Sequence, residues 1–197
     1  MADANTFGIS LGAGASLDMN GFAVEGVTNC SGAPATCTGF GAGNGIAMGA
    51  RASLRNGTVR RAGNHGVFAD EGSVVENVTM SENGGSGYTA NGKGQQILGC
   101  RILQNRQRGI SLYYGSSYGA MIRGNTIYGN GEGGVQVVGA QLLDNVITHN
   151  ADEGAYMASG TAFGGNRFAE NNGGNANAQL FGGVAVSGNA CGSVACP

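Results

Sequence analysis

The sequence predicts an all-β solenoid of about seven or eight stacked coils, and three observations predict it. Asn56, Asn77, Cys100, Asn125, Asn145 and Asn166 recur at intervals of 20 to 25 residues. A second asparagine file follows at Asn83, Asn105, Asn130, Asn150 and Asn171, and a glycine file opens each repeat at Gly45, Gly66, Gly87, Gly109, Gly134 and Gly154. A shared period of that length marks stacked units, none of which can bury its apolar face alone. The spacing of leucine-rich repeats is missing.

Residues 6 to 26 read as a first coil, with Gly8-Ile-Ser-Leu11 matching the later opening strands. Residues 27–44 break the period and read as an inserted surface protrusion holding Cys30, Pro34 and Cys37. From Gly45 onward each glycine opens a strand of period two. Ile46/Met48, Val67/Ala69, Tyr88/Ala90, Ile110/Leu112, Val135/Val137 and Ala155/Met157 are expected to point inward. Ala47, Phe68, Thr89, Ser111, Gln136 and Tyr156 are expected to point out. Two further short apolar runs complete each coil. Asparagine suits the corners because it tolerates the left-handed conformation and its amide can bond to the coil above or below. Asn56, Asn77, Cys100, Asn125, Asn145 and Asn166 are therefore expected to form an internal ladder. Residues 113–119 form a second insertion, rich in tyrosine, and residues 187–197 a C-terminal tail, all within one domain spanning 1–197.

Charged residues are 11% and the net charge is −2, which leaves no broad basic surface for nucleic acid or anionic membrane. No apolar run reaches the roughly 18 to 20 residues of a membrane span, so membrane insertion is not expected. Forty glycines would suggest disorder if aperiodic, but here they fall at corners. Cys30 with Cys37, and Cys191 with Cys196, flank short loops as disulfides do. They imply an extracellular or cell-surface location reached through a signal peptide since removed. Cys100 reads as a buried thiol.

Several groups carry chemistry. Glu132 and Asp152 both lie two residues before their coil's glycine, so they should stack about 4.8 Å apart, with Arg108 and Glu153 one residue closer to the strand. Two such carboxylates could share a Ca²⁺ ion or act as an acid/base pair, although edge residues neutralised by Arg108 account for them too. Asp70, Glu71, Lys93, Tyr113 and Tyr114 follow the opening strands of adjacent coils, and Lys93 is the only lysine. It could be a base or a carboxylate clamp, or simply an exposed ion pair. Tyr113, Tyr114 and Tyr118 have the composition of an adaptable recognition loop, with Phe68 and Tyr156 on the outer strand face beside it. His65 and His149 read as polar surface positions. Sequons occur at Asn29, Asn56 and Asn77, and the last two conflict with glycan attachment if they occupy the ladder.

The Gly-Ile/Val-x-Val strands, the x-x-Asn-x-x-x-x-Asn turns and the opening Leu17-Asp-Met-Asn-Gly-Phe-Ala-Val-Glu-Gly26 resemble the right-handed parallel β-helix of the pectate-lyase-like superfamily. The resemblance covers residues 6 to 190 and supplies the handedness. No specific enzyme family matches. Of a polygalacturonase-like pattern only Asn150-Ala-Asp152 is present by letter, and a mannuronan-epimerase-like Asp-Pro-His is absent. The resemblance implies a polysaccharide-binding β-helix with no assigned catalysis. Two alternatives are a self-associating filament or surface-layer protein, and a lyase or glycoside hydrolase acting through Arg108, Glu132 and Asp152 or through Asp70 and Lys93. No cofactor beyond Ca²⁺ is suggested.

Overall fold

The computed structural model describes residues 3–112, 117–192 and 194–196. Every coil contributes a strand to each of three parallel faces. The first face stacks Ile9–Leu11, Ile46–Met48, Val67–Ala69, Tyr88–Ala90, Ile110–Ser111 and Val135–Val138 in that order, and ends on the strands Ala155–Gly164 and Leu180–Ala185. The second face runs from Ser16–Asp18 through Gln141–Leu143 to Ala162, and the third from Ala23–Glu25 to Ala190–Cys191.

The alternation in the sequence explains what each face buries. Ile46, Met48, Val67, Ala69, Tyr88, Ile110, Leu112, Val135, Val137, Ala155 and Met157 all lie in one continuous core, while the intervening residues face out. Tyr88 keeps its polar end satisfied inside that core by donating its hydroxyl to Gln95 Oε1 at 2.8 Å. The glycine file has a packing cause. A Cβ on Gly87 would meet Ile102 Cγ2 at 2.4 Å and the Gly109 carbonyl oxygen at 2.9 Å, and Gly66, Gly109, Gly134 and Gly154 are similarly enclosed. The corner is tight because the asparagine of the same coil and the next coil's backbone both press against it.

Two asparagine ladders run through the solenoid, and one differs in register from the sequence expectation. Cys100 N donates to Asn125 Oδ1, and the same pattern links Asn125 to Asn145, Asn145 to Asn166 and Asn166 to Asn189. Asn56 and Asn77 are not members. Both are exposed, left-handed corner residues at φ 58° and 52°, and Gly57 and Val78 occupy the ladder column instead. Spacing alone could not separate the two columns, because asparagine suits both an outward left-handed corner and an inward amide. Being outside the ladder also removes the conflict between the sequons at Asn56 and Asn77 and the fold. The second ladder runs through Asn83, Asn105, Asn130, Asn150 and Asn171 and ends on Gln179.

The insertion at residues 27–44 behaves differently from a simple protrusion. Residues 27–44 contain an antiparallel hairpin, Asn29–Ser31 with Thr36–Thr38, closed by the Cys30–Cys37 disulfide. It lies along the wall of the solenoid. Thr28 Oγ1 donates to Ala62 O, Gln104 Nε2 to Gly32 O, and Ala35 N to Gly129 O. The guanidinium of Arg106 sits 4.0 Å from the centre of the Phe40 ring. The stretch expected as a tail instead completes the last coil. Asn189 ends a ladder, Ala190–Cys191 pairs with the third face, and the Cys191–Cys196 disulfide closes the terminal hairpin. Among the described residues no helix is long and apolar enough to cross a membrane.

Candidate functional site

The turn between the first and second faces is built rung by rung. Arg51 N donates to Glu71 O at 2.8 Å, Gly72 N to Lys93 O at 2.8 Å, and Gly94 N to Tyr118 O at 3.0 Å. These bonds place Arg51, Glu71, Lys93 and Tyr118 side by side on successive coils, close to the strand spacing apart. Together with Ala50, Gly72 and Gly94 they line a cleft of about 370 Å³. Lys93 Nζ stands 5.8 Å from the centre of the Tyr118 ring, within reach of a cation–π attraction. That ring is half exposed and lies over Gly139, where a Cβ would come within 2.5 Å of Tyr118 Cδ1. The absent side chain at Gly139 is what seats the tyrosine.

Neither Arg51 nor Lys93 has a carboxylate within ion-pair distance among the described residues, unlike Arg55, Arg60, Arg61, Arg108 and Arg123. Two cations and a tyrosine ring therefore meet solvent in one cleft, with Glu71 beside them. A smaller depression of about 200 Å³ adjoins it through Gly49 and Asp70, and is lined also by Leu11, Met48 and Phe68. Phe68 and Asp70 thus line the neighbouring depression and not the Lys93–Tyr118 cleft itself. Tyr156 lies farther along the outer file of the first face, after Thr89, Ser111 and Gln136, and is exposed. Tyr113 and Tyr114 lie outside the described residues. Arg51 carried no signal as a motif, yet it sits six residues after Gly45, as Lys93 sits six after Gly87. The offset does not itself align them, because Arg51 is level with Gly72 and Lys93 with Glu71, and it is the turn of the coil between that brings both to the cleft.

The carboxylate group near Arg108 assembles differently from the expectation. Arg108 Nη1 pairs with Glu132 Oε2 at 3.0 Å, and Nη2 approaches Glu153 Oε1 at 3.9 Å. Asp152 is exposed and its carboxylate joins neither contact. The arginine stands between two coils' glutamates, which offsets their mutual repulsion. Among the described residues no three His, Cys, Asp or Glu side chains come together in a way that could hold a metal ion. His65 is structural: its Nδ1 accepts the Ser86 N–H at 3.0 Å, and burial lowers its pKa. Cys100 is buried, and desolvation pushes its thiol up to about 11.

The family model for the right handed beta helix region matches residues 41–193. The chain belongs to the right-handed β-helix family. Solved β-helix structures similar to it include a variant of the periplasmic alginate epimerase AlgG, at 18% identity over 92% of this chain and 47% of that one, with a TM-score of 0.60. The A-module of the Azotobacter vinelandii mannuronan C-5 epimerase AlgE6 is similar at 20% identity over 75% of this chain and 50% of that one, TM-score 0.58. The catalytic domain of Agl-KA is similar at 15% identity over 84% and 38%, TM-score 0.51. At these identities the likeness is one of fold, and this β-helix spans half the length of those structures or less. No curated protein matches the sequence.

Proposed function

We propose that this β-helix is a secreted or cell-surface protein that binds a polysaccharide along the outer side of its first face, anchored in the Arg51–Lys93–Tyr118 cleft. The observation that carries the proposal is the Lys93–Tyr118 pair: an exposed ring with an ammonium at 5.8 Å, opening on a cleft with a second free cation. A tyrosine ring offers a flat apolar surface to a sugar face and a hydroxyl to its substituents. Arg51 and Lys93 supply donors for hydroxyl or acid groups. Phe68 and Tyr156 extend the same outer face, in keeping with a chain ligand longer than one sugar. The similar epimerase structures are named for action on alginate and mannuronan, which supports a polysaccharide as the class of ligand. Two formed disulfides support the oxidising location. Retention is favoured over turnover because the cleft offers contact groups, while Glu132, the strongest acid/base candidate elsewhere, is engaged by Arg108.

Affinity electrophoresis through gels containing alginate, pectin or galactomannan tests this. The protein should be retarded in at least one gel, and Tyr118→Ala and Lys93→Ala should each restore most of the free mobility. Unretarded migration in all three gels, or retardation indifferent to both substitutions, would overturn it.

A further inference from the structure

A second cleft lies on the third face, and its chemistry differs from that of the first. Val146, Thr148 and His149 supply one rung of it, and Arg167, Ala169 and Glu170 the next, with Val146 in register with Arg167 and Thr148 with Ala169. Asn175 and Gly192 close the far side. Its volume is about 440 Å³, inside the range of about 300 to 1,000 Å³ typical of small-ligand sites. On the near side the Tyr128 ring leans on His149, with centroids 5.1 Å apart and planes at 44°.

The disulfide-closed hairpin leaves this cleft open. It covers the ridge formed by Arg61, Glu82, Gln104 and Gly129, where Ala35 bonds to the Gly129 carbonyl and Ala33 packs against Gly129. It stops there. The next ridge positions, His149 and Glu170, are exposed and form the cleft's edge.

The polar groups are paired in a telling way. Glu170 is positioned by Asn175, which receives the Glu170 N–H at Oδ1 (2.8 Å) and donates its own amide to Oε1. Among the described residues Oε2 has no hydrogen-bond partner, and Arg167 has no ion pair. One full cation that only donates and one full anion that only accepts therefore share the cleft. Thr148 can do both, and Val146 at 41% exposure and the His149 ring add apolar contact. A ligand of either net charge would meet one repelling partner. A neutral ligand dense in hydroxyls, each able to donate and accept, satisfies Arg167, Glu170 and Thr148 together and still offers a C–H face to the ring.

We infer that the Tyr128–His149–Arg167–Glu170 cleft is a second carbohydrate site, taking a short neutral saccharide, independent of the Lys93–Tyr118 cleft. Heteronuclear NMR on ¹⁵N-labelled protein, titrated with cellotriose, mannotriose, maltotriose and, for contrast, trigalacturonate, tests it. At least one neutral trisaccharide should shift the Gly192 amide, the His149 ring and the Arg167 Nε resonances saturably. Glu170→Gln and His149→Ala should each weaken that binding by about tenfold or more, the cost of one hydrogen bond to a charged group or one ring contact. Lys93→Ala should leave it unchanged. Overturning results are saturation by none of the neutral sugars, tighter binding of trigalacturonate at these resonances, or an affinity that survives both cleft substitutions. His149 is exposed, so its alanine variant stays interpretable even if the Glu170 variant folds poorly.

Discussion

Asn145 gives two donors to one atom of Asn166: its backbone N–H reaches Asn166 Oδ1 at 3.0 Å and its side-chain amide reaches the same oxygen at 2.9 Å. Asn145 Oδ1 in turn receives both donors of Asn125, each at 2.9 Å. The side chain thus replaces a backbone acceptor where the chain turns a corner, and it does so out of reach of water. Removing it takes the acceptor away from both Asn125 donors and the amide donor away from Asn166 Oδ1 and the Ile122 carbonyl. Asn145→Ala should lower stability by about 1 to 3 kcal/mol in urea unfolding. Asn77→Ala, at an exposed corner one place before the ladder column, should cost clearly less, and equal losses would contradict the register described here.

The glycine file gives a second contrast. Gly87→Ala forces a methyl group against Ile102, Asn105 and the Gly109 carbonyl, an overpacking that costs about 1 to 3 kcal/mol. Gly12 has no atom within 4 Å of its ideal Cβ and no left-handed φ. Gly12→Ala should therefore stay within about 0.5 kcal/mol of the parent. Thermal melts of the two variants measure the difference.

His65 should make stability depend on pH in a defined window. Its folded pKa lies below the ordinary 6.5 because of burial, so the unfolded chain binds the proton more readily. Stability is then complete above about pH 6.5 and falls as the pH drops below that value, because the unfolded chain takes up a proton that the buried imidazole, its Nδ1 accepting the Ser86 N–H, does not. Asp18 and Glu25 also have lowered pKa values, the first through the Asn20 N–H and Asn56 amide, the second through Arg60 and Arg61. Their contribution is lost only at lower pH, from about their ordinary 3.8 and 4.5 downward. Denaturant midpoints between pH 7.5 and 5.5 should slope for the parent and flatten for His65→Gln.

Cys100 should be silent in the native protein. It is buried and its thiol is pushed up to about 11, while the remaining four cysteines form two disulfides. A thiol reagent at pH 8 should find essentially no reactive group in the folded protein, and one per chain after denaturation without reductant. More than one would show that a disulfide is absent.

The coil period and the strand residues that face in were legible in the sequence, because a strand's two sides alternate and each coil repeats the last. So were the cysteine partners, since each pair is separated by only a short loop. Tertiary structure decided what depends on the register between coils. It moved Asn56 and Asn77 out of the ladder and put Gly57 and Val78 in their column, because a corner can use asparagine for its left-handed backbone or for its amide and the letter is the same. It left Asp152 out of the Arg108 contacts, which go to Glu132 and Glu153. It laid residues 27–44 along the wall, through bonds to Ala62, Gln104 and Gly129 that lie far away in sequence. Both clefts arise in the same way, from side chains about 20 residues apart or more that meet only when one rung is stacked on the next.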